Sequence, residues 1–458
     1  MITTDQDQYK QEELPVSTDE PIIRVRNLKK FFPIYGGVFK KVVGHVYAVN
    51  DVSFDIKKGE TIGIVGESGC GKTTLGRTIL GLTPVTDGQI IYKDTDITQQ
   101  NQLPEDREWK IRSRLTALAI LIIGLLLFVL GLMNFAQNQY LITVGRFLEL
   151  PLLTIFLVIA TPFGLILLVK GILDLAKLAP GQLQLRRDIQ IVFQDPHASL
   201  NPRMTVRGAL SESLIVHKTM PKEEIDEYLI SLLEEVGLGE MHLDRFPHEF
   251  SGGQRQRIVI ARALVLQPDV VILDEPTAST DVSVQAKTLN LLNRLQRDKQ
   301  LTFLFISHDL SVIKHMSKRI FVMYLGKIVE IGLREMFSKP EKIHPYTEAL
   351  FEAVPVADPT FRDERRIILG GDVPSPANPP PGCVFHTRCP FALKDARLMD
   401  ICQKEEPLLT EVEKDHSMIV LGCYCEDCDK YYTFYLDFSE MEYHSMNTAG
   451  KRIEPPPL

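Results

Sequence analysis

Cysteine is scarce, with seven in 458 residues, too few for the disulfide framework of a small secreted scaffold. A basic surplus is also missing: 51 Lys and Arg against 59 Asp and Glu leave a formal net charge of −8, which offers no general nucleic-acid footprint. Residues 1–20 form a polar, acidic tail without an apolar core or small-residue cleavage site, so no secretory signal is read there. Internal repeats are absent as well. What remains is the composition of a folded chain, 45% hydrophobic and 24% charged, of a length that suggests about three units. The mean hydropathy near zero is high for so many charges and implies that apolar residues are concentrated in one place.

That place is 101–186, an insertion with two uncharged runs at about 115–133 and 150–169. At about 1.5 Å per residue they would be roughly 28 and 30 Å long, the thickness of a hydrocarbon core. Arg107, Lys110, Arg112 and Arg114 precede them, and Lys170, Lys177, Arg186 and Arg187 follow, while the connector holds only Arg146. Read this way, the insertion is a two-helix transmembrane hairpin with both ends cytoplasmic, an anchor in the lipid bilayer rather than a pore, because neither run holds an ionisable group. The competing reading is a pair of buried helices in a water-soluble core.

Outside the insertion, strand-like runs at Thr61 to Val65, Ile189 to Phe193, Val270 to Leu273, Thr302 to Ile306 and Ile320 to Met323 alternate with helix-like stretches. The fold class expected is α/β, a mostly parallel sheet covered by helices. After the first run comes Gly66-Glu67-Ser68-Gly69-Cys70-Gly71-Lys72-Thr73-Thr74, a complete phosphate-loop pattern in strand-to-helix context. Its glycines let backbone N–H groups curl around phosphate oxygens, Lys72 is expected to reach the β and γ phosphates, and Thr73 to ligate Mg²⁺. The run Val270 to Leu273 delivers Asp274 and Glu275, the first expected to hold Mg²⁺ and the second to polarise the attacking water.

Phe250-Ser251-Gly252-Gly253-Gln254, lying 20 residues before Asp274, resembles the signature of the ATP-binding cassette (ABC) family. The resemblance implies a P-loop nucleotide-binding domain with a helical subdomain, in which Ser251, Gly252, Gly253 and Gln254 meet the γ-phosphate held by a partner subunit. It implies that Gln194 senses Mg²⁺ and the coupling helix, that His308 is the switch histidine, and that Asp281 belongs to the interface. Residues 278–281 read Ala-Ser-Thr-Asp where the family usually has Ser-Ala-Leu-Asp. An adenine-stacking aromatic is expected upstream, with Tyr47 and Phe39 as candidates.

Within the family, Phe193 to Met204 and the opening from Phe32 to Phe54 resemble ATPases of dipeptide and oligopeptide importers, the second their F-type subunit. The similarity covers nearly 21–100 and 187–425. Cys383, Cys389, Cys402 and Cys423, spaced C-x5-C-x12-C-x20-C, resemble that subfamily's cysteine-bearing extension, implicated in iron–sulfur binding. A [4Fe–4S] cluster is expected, with zinc or metal-free thiols as alternatives and Cys425 or Cys428 as alternative fourth ligands. The domains expected are the tail 1–20, the discontinuous cassette 21–100 and 187–340, the insertion 101–186, and the extension 341–458.

The function implied is ATP hydrolysis energising dipeptide or oligopeptide uptake, at the cytoplasmic face of the membrane and anchored there by the hairpin. The implied partners are two permease subunits, an identical or homologous ATPase subunit, and indirectly an extracytoplasmic peptide-binding protein, with no nucleic acid. The alternative is a non-transport cassette ATPase, mechanical or regulatory, gated by a metal centre.

Overall fold

The structure, a computed structural model, describes residues 20–37, 41–98, 180–278, 281–338, 343–352, 369–413, 415–420, 422–425, 430–437, 442–446 and 452–453. The chain divides into two units, one comprising Met1–Asn101 with Arg186–Leu458 and the other Gln102–Leu185. The first unit opens with two long strands, β1 (Pro21–Gly36) and β2 (Lys41–Lys57), paired antiparallel from Pro21 opposite Lys57 to Gly36 opposite Lys41. After β3 (Thr61–Val65) and the helix Lys72–Ile79 come β4 (Asp87–Tyr92) and β5 (Thr95–Asp96), which complete an antiparallel sheet in the order β2-β1-β4-β5.

The main sheet uses β3 with β6 (Ile189–Val192), β7 (Val270–Asp274), β8 (Thr302–Ile306), β9 (Arg319–Tyr324), β10 (Lys327–Leu333), β11 (Leu408–Glu413) and β12 (His416–Val420). Its order is β11-β12-β10-β9-β3-β8-β7-β6. The five strands from β9 to β6 run parallel, whereas β10, β12 and β11 join antiparallel. All five residues of β3, of β7 and of β8 are buried. Cover on both faces explains why these strands are unbroken apolar runs rather than alternating ones. Ile306 faces both Ile64 of β3 and Asp274 of β7, so the carboxyl ends of the three strands lie level.

Against this sheet the helices Val206–His217, Ile225–Glu235 and Gly252–Leu264 contribute Leu210, Leu214, Leu229, Leu233 and Ile258 to the core. Thr205 starts the first of them by accepting from Gly208 N–H, and Lys218 ends it in the left-handed conformation. The C-terminal part is more than an appendage. Its β11–β12 hairpin extends the main sheet, and a buried 2.7 Å contact joins His416 Nε2 on β12 to Glu330 Oε1 on β10. A further antiparallel sheet comprises β13 (Gly422–Cys425), β14 (Lys430–Asp437), β15 (Glu442–Met446) and β16 (Arg452–Ile453).

One expectation is corrected. Among the described residues no helix is long and apolar enough to cross a membrane. The longest of them, Val282–Lys299, carries Lys287, Arg294, Arg297, Asp298 and Lys299. The two runs on which the hairpin rested, 115–133 and 150–169, lie outside the described residues. Length and lack of charge are shared by spanning and buried helices and do not establish a span. The inserted transmembrane hairpin, its contact with the lipid bilayer and the self-anchored location are therefore withdrawn, and the fold class stands as α/β around a mostly parallel sheet without them.

Candidate active site

Four loops leave neighbouring strands at the carboxyl edge of the parallel sheet, where α/β sheets bind ligands. The loop after β3 is the phosphate loop. Lys72 is buried and its Nζ donates to the carbonyls of Gly66 (2.7 Å) and Glu67 (2.9 Å), so the ammonium sits in the cradle made by the backbone it follows. Ser68 and Gly69 form the exposed rim. Cys70 lies beneath it with its thiol 3.7 Å from Lys72 Nζ, and burial, only partly opposed by Lys72, raises its pKa. It is packed as a small buried group. The helix Lys72–Ile79 starts at Gly71 with no side-chain cap and no acid in its first turn, so Thr73 and Thr74 lie where amide groups are free for an anion.

Thr73 Oγ1 donates to Asp274 Oδ1 at 2.8 Å, placing the two expected Mg²⁺ ligands side by side. Asp274 is 1% exposed, and burial, opposed by the Thr73 hydrogen bond and by Arg77, raises its pKa. A carboxylate held in such a site fits a divalent cation, which would supply the missing charge. Glu275 follows with a left-handed backbone (φ 48°), its N–H bonded to Ile306 O. Its carboxylate is gripped from both sides: Gln194 Nε2 donates to Oε2 at 2.8 Å, and His308 Nδ1 lies 3.0 Å from Oε1. Gln194 leaves β6 and His308 leaves β8, so the sheet order β8-β7-β6 brings this trio together.

Ser251 caps the helix Gly252–Leu264 reciprocally, accepting from Gln254 N–H (3.3 Å) and donating its own N–H to Gln254 Oε1 (3.0 Å). Ser251, Gly252, Gly253, Gln254 and Asp281 line a cleft of about 460 Å³ that contains no phosphate-loop residue. The two halves of the expected nucleotide contact thus stand apart within one chain. Tyr47 lies beside the loop through its neighbour Ala48, whose carbonyl abuts Gly71, and its ring packs edge-on against Phe31 at 4.7 Å between centroids. Phe39 lies outside the described residues.

The iron–sulfur expectation is corrected. Among the described residues no group of three or more His, Cys, Asp or Glu side chains could hold a metal ion. Cys383, Cys389 and Cys402 are free thiols, and burial pushes them up, Cys383 to about 11 and Cys402 to about 12. Spacing along the chain does not fix whether sulfurs converge in space, and the described side chains form no such group. Cys423 lies on β13, its side chain outside the described residues, and Cys425 and Cys428 lend no described ligand.

Two residues were missed by sequence reasoning. Arg388 sends Nη1 to Glu67 Oε2 (2.9 Å) and Nη2 to Glu67 Oε1 (3.2 Å), and Tyr346 Oη accepts the Glu67 N–H (2.9 Å). They stand 321 and 279 residues from Glu67, and no local pattern connects them.

The chain matches known families and relatives along most of its length. The family model described as ABC transporter matches residues 49–119 and 167–278, and that of the oligopeptide/dipeptide transporter C-terminal region matches residues 329–395. The oligopeptide transport ATP-binding protein AppF of Bacillus subtilis (strain 168) is 41% identical over 405 residues, covering 88% of this chain and 98% of the relative. The dipeptide transport ATP-binding protein DppF of Escherichia coli (strain K12) is 37% identical, covering 90% of this chain and 96% of the relative. Among solved structures, cbiO1 from Clostridium perfringens, part of the ABC transporter complex cbiONQ, superposes with a TM-score of 0.45 at 23% identity, covering 70% of this chain and 92% of that one. The fold, the site and the family match define the class: this is an ABC-type ATPase. Within that class, the chain belongs to the ATP-binding subunits of oligopeptide and dipeptide ABC importers.

Proposed function

We propose that the site works as follows and that the transport it drives is peptide uptake. ATP docks with its phosphates on the amides of 69–74 and on Lys72, which exchanges the carbonyls of Gly66 and Glu67 for phosphate oxygens. Thr73 and Asp274 hold Mg²⁺, which when bound draws charge from the phosphate oxygens. Glu275 accepts the proton of the attacking water. Its carboxylate is oriented by Gln194 and His308, and this three-residue grip is the observation that carries the reading.

The separation of the Ser251–Gln254 cleft from the phosphate loop supports a pair of cassettes, each completing the other's site. That the cargo is peptide rests on the match over 329–395 and on relatives named for oligopeptide and dipeptide transport. In that setting the partners are two permease subunits, a second cassette, and indirectly a peptide-loaded binding protein. The domain limits proposed are a cassette of 21–100 with 187–340, interrupted by 101–186 and followed by the extension 341–458.

Substituting Glu275→Gln tests the chemistry. ATP binding stays within about twofold of wild type while turnover falls by at least about 10²-fold, the usual weight of a general base. Nucleotide binding by fluorescence and phosphate release on the same sample decide it, and steady-state hydrolysis near the wild-type rate overturns the role. Stimulation of hydrolysis by peptide-loaded binding protein in vesicles holding the permeases tests the cargo.

A further inference from the structure

Glu67 is held at every polar atom, and much of the holding comes from the far end of the chain. Its carbonyl accepts from Lys72 Nζ (2.9 Å) and from Cys70 N–H (3.3 Å), its N–H goes to Tyr346 Oη (2.9 Å), and its carboxylate receives the two-pronged Arg388 guanidinium. The arginine side chain is 7% exposed and the glutamate 27%, so water screens the pair poorly. Arg388 is itself fixed: its N–H bonds to Phe385 O, and the fully buried Phe385 ring packs against Tyr324 and Tyr346 at 5.3 and 5.6 Å.

This carboxylate stands in the loop that must receive the triphosphate, one residue beyond the start of the cradle. Unneutralised, it would oppose a polyanion there; free to rotate, it would loosen the Glu67 carbonyl that Lys72 uses. Neither effect concerns the reacting atoms. We propose that Arg388, reaching over from the C-terminal region, is a positioning residue for ATP binding: it neutralises Glu67 and locks its backbone so that the loop is preformed for the nucleotide. This rests on the ATPase reading above. It assigns to the C-terminal region a direct part in nucleotide affinity, exerted through a planar fork that a lysine cannot reproduce.

The test uses the full chain and separates KM for ATP from kcat. Arg388→Ala raises KM by about tenfold and leaves kcat within about twofold, as expected when one partner of a poorly screened charge pair is removed near an anionic ligand. Arg388→Lys gives an intermediate KM. Adding Glu67→Gln to Arg388→Ala returns KM to within about threefold of wild type, and higher salt narrows the Arg388→Ala defect. A purely structural staple would show neither rescue nor salt dependence. Should Arg388→Ala fail to fold, Arg388→Gln with and without Glu67→Gln gives the same contrast. Wild-type KM in the Arg388 variants, or a double variant as impaired as the single one, overturns the inference while leaving the ATPase reading intact. A wild-type chain that neither binds nor hydrolyses ATP removes the reading on which it stands.

Discussion

Gly71 and Gly252 are both motif glycines, yet the chain's own geometry demands only the first. Gly71 has φ 109°, and a Cβ there would lie 2.0 Å from the carbonyl oxygen of Ala48, a backbone atom of β2 that cannot step aside. Gly71→Ala should therefore lose ATP binding altogether and destabilise the chain by about 2 kcal/mol or more, measured by nucleotide titration and chemical unfolding. A Cβ on Gly252 meets nothing within 4 Å. Gly252→Ala should keep its melting temperature and its ATP affinity but lose turnover if, as in the proposed pair of cassettes, that room receives a phosphate held by the partner. Wild-type turnover in Gly252→Ala would remove that explanation. The same contrast shows what was legible at this scale. Asp274, Glu275, Gln194 and His308 could be read because each sits at or within two residues of a strand end, and Lys72 because its loop joins a strand directly to a helix, so motif and position coincide. Arg388 could not be read in this way, since its partner lies 321 residues away.

At the scale of elements, the five parallel strands were legible almost to the residue, because burial, complete along β3, β7 and β8 and partial at the edge strand β6, writes them as largely apolar runs. The β11–β12 hairpin was not. Leu408 is 75% exposed at this sheet edge, and the hairpin is held partly by the Glu330–His416 contact, which no apolar pattern announces. Glu330 also receives the N–H of His344, whose Nδ1 in turn accepts from Tyr346 N–H, leading back to the residue that pins Glu67. Burial drives the His344 pKa down to about 3 from its ordinary 6.5. In the folded chain the ring stays neutral, so between about 6.5 and 3 only the unfolded chain takes the proton. Stability from this residue is complete above about 6.5 and is lost as pH falls, by about 1.4 kcal/mol per pH unit. His344→Asn, which keeps an acceptor for Tyr346, should lose about 2 kcal/mol less than wild type between pH 7 and pH 5. Urea midpoints at the two pH values measure it, and parallel losses in both proteins would contradict the assignment.

For the whole molecule, the decisive fact is that the chain holds one complete phosphate loop and one complete signature cleft, lined by different residues. A single copy pairing these across an interface would need a second copy, or a homologous cassette, to close the site, and a two-fold arrangement supplies two such sites at once. Lys72→Ala removes the loop's cation, and Ser251→Arg fills the cleft and removes the helix cap, whose loss alone costs about 1 kcal/mol. Each variant alone should be inactive, since in a pair of identical lesions both sites are damaged. Mixed in equal amounts, half of the pairs contain one of each, and each such pair has one site with intact Lys72 facing intact Ser251. Recovery of about a quarter of the wild-type rate is therefore expected, rising with the square of protein concentration at high dilution. If the mixture stays inactive but adding a separate homologous cassette restores turnover to the Lys72-intact variant, the pair is made of unlike copies. If neither addition matters and wild type turns over at a rate per molecule independent of dilution, the site closes within one chain and the paired-cassette reading is wrong.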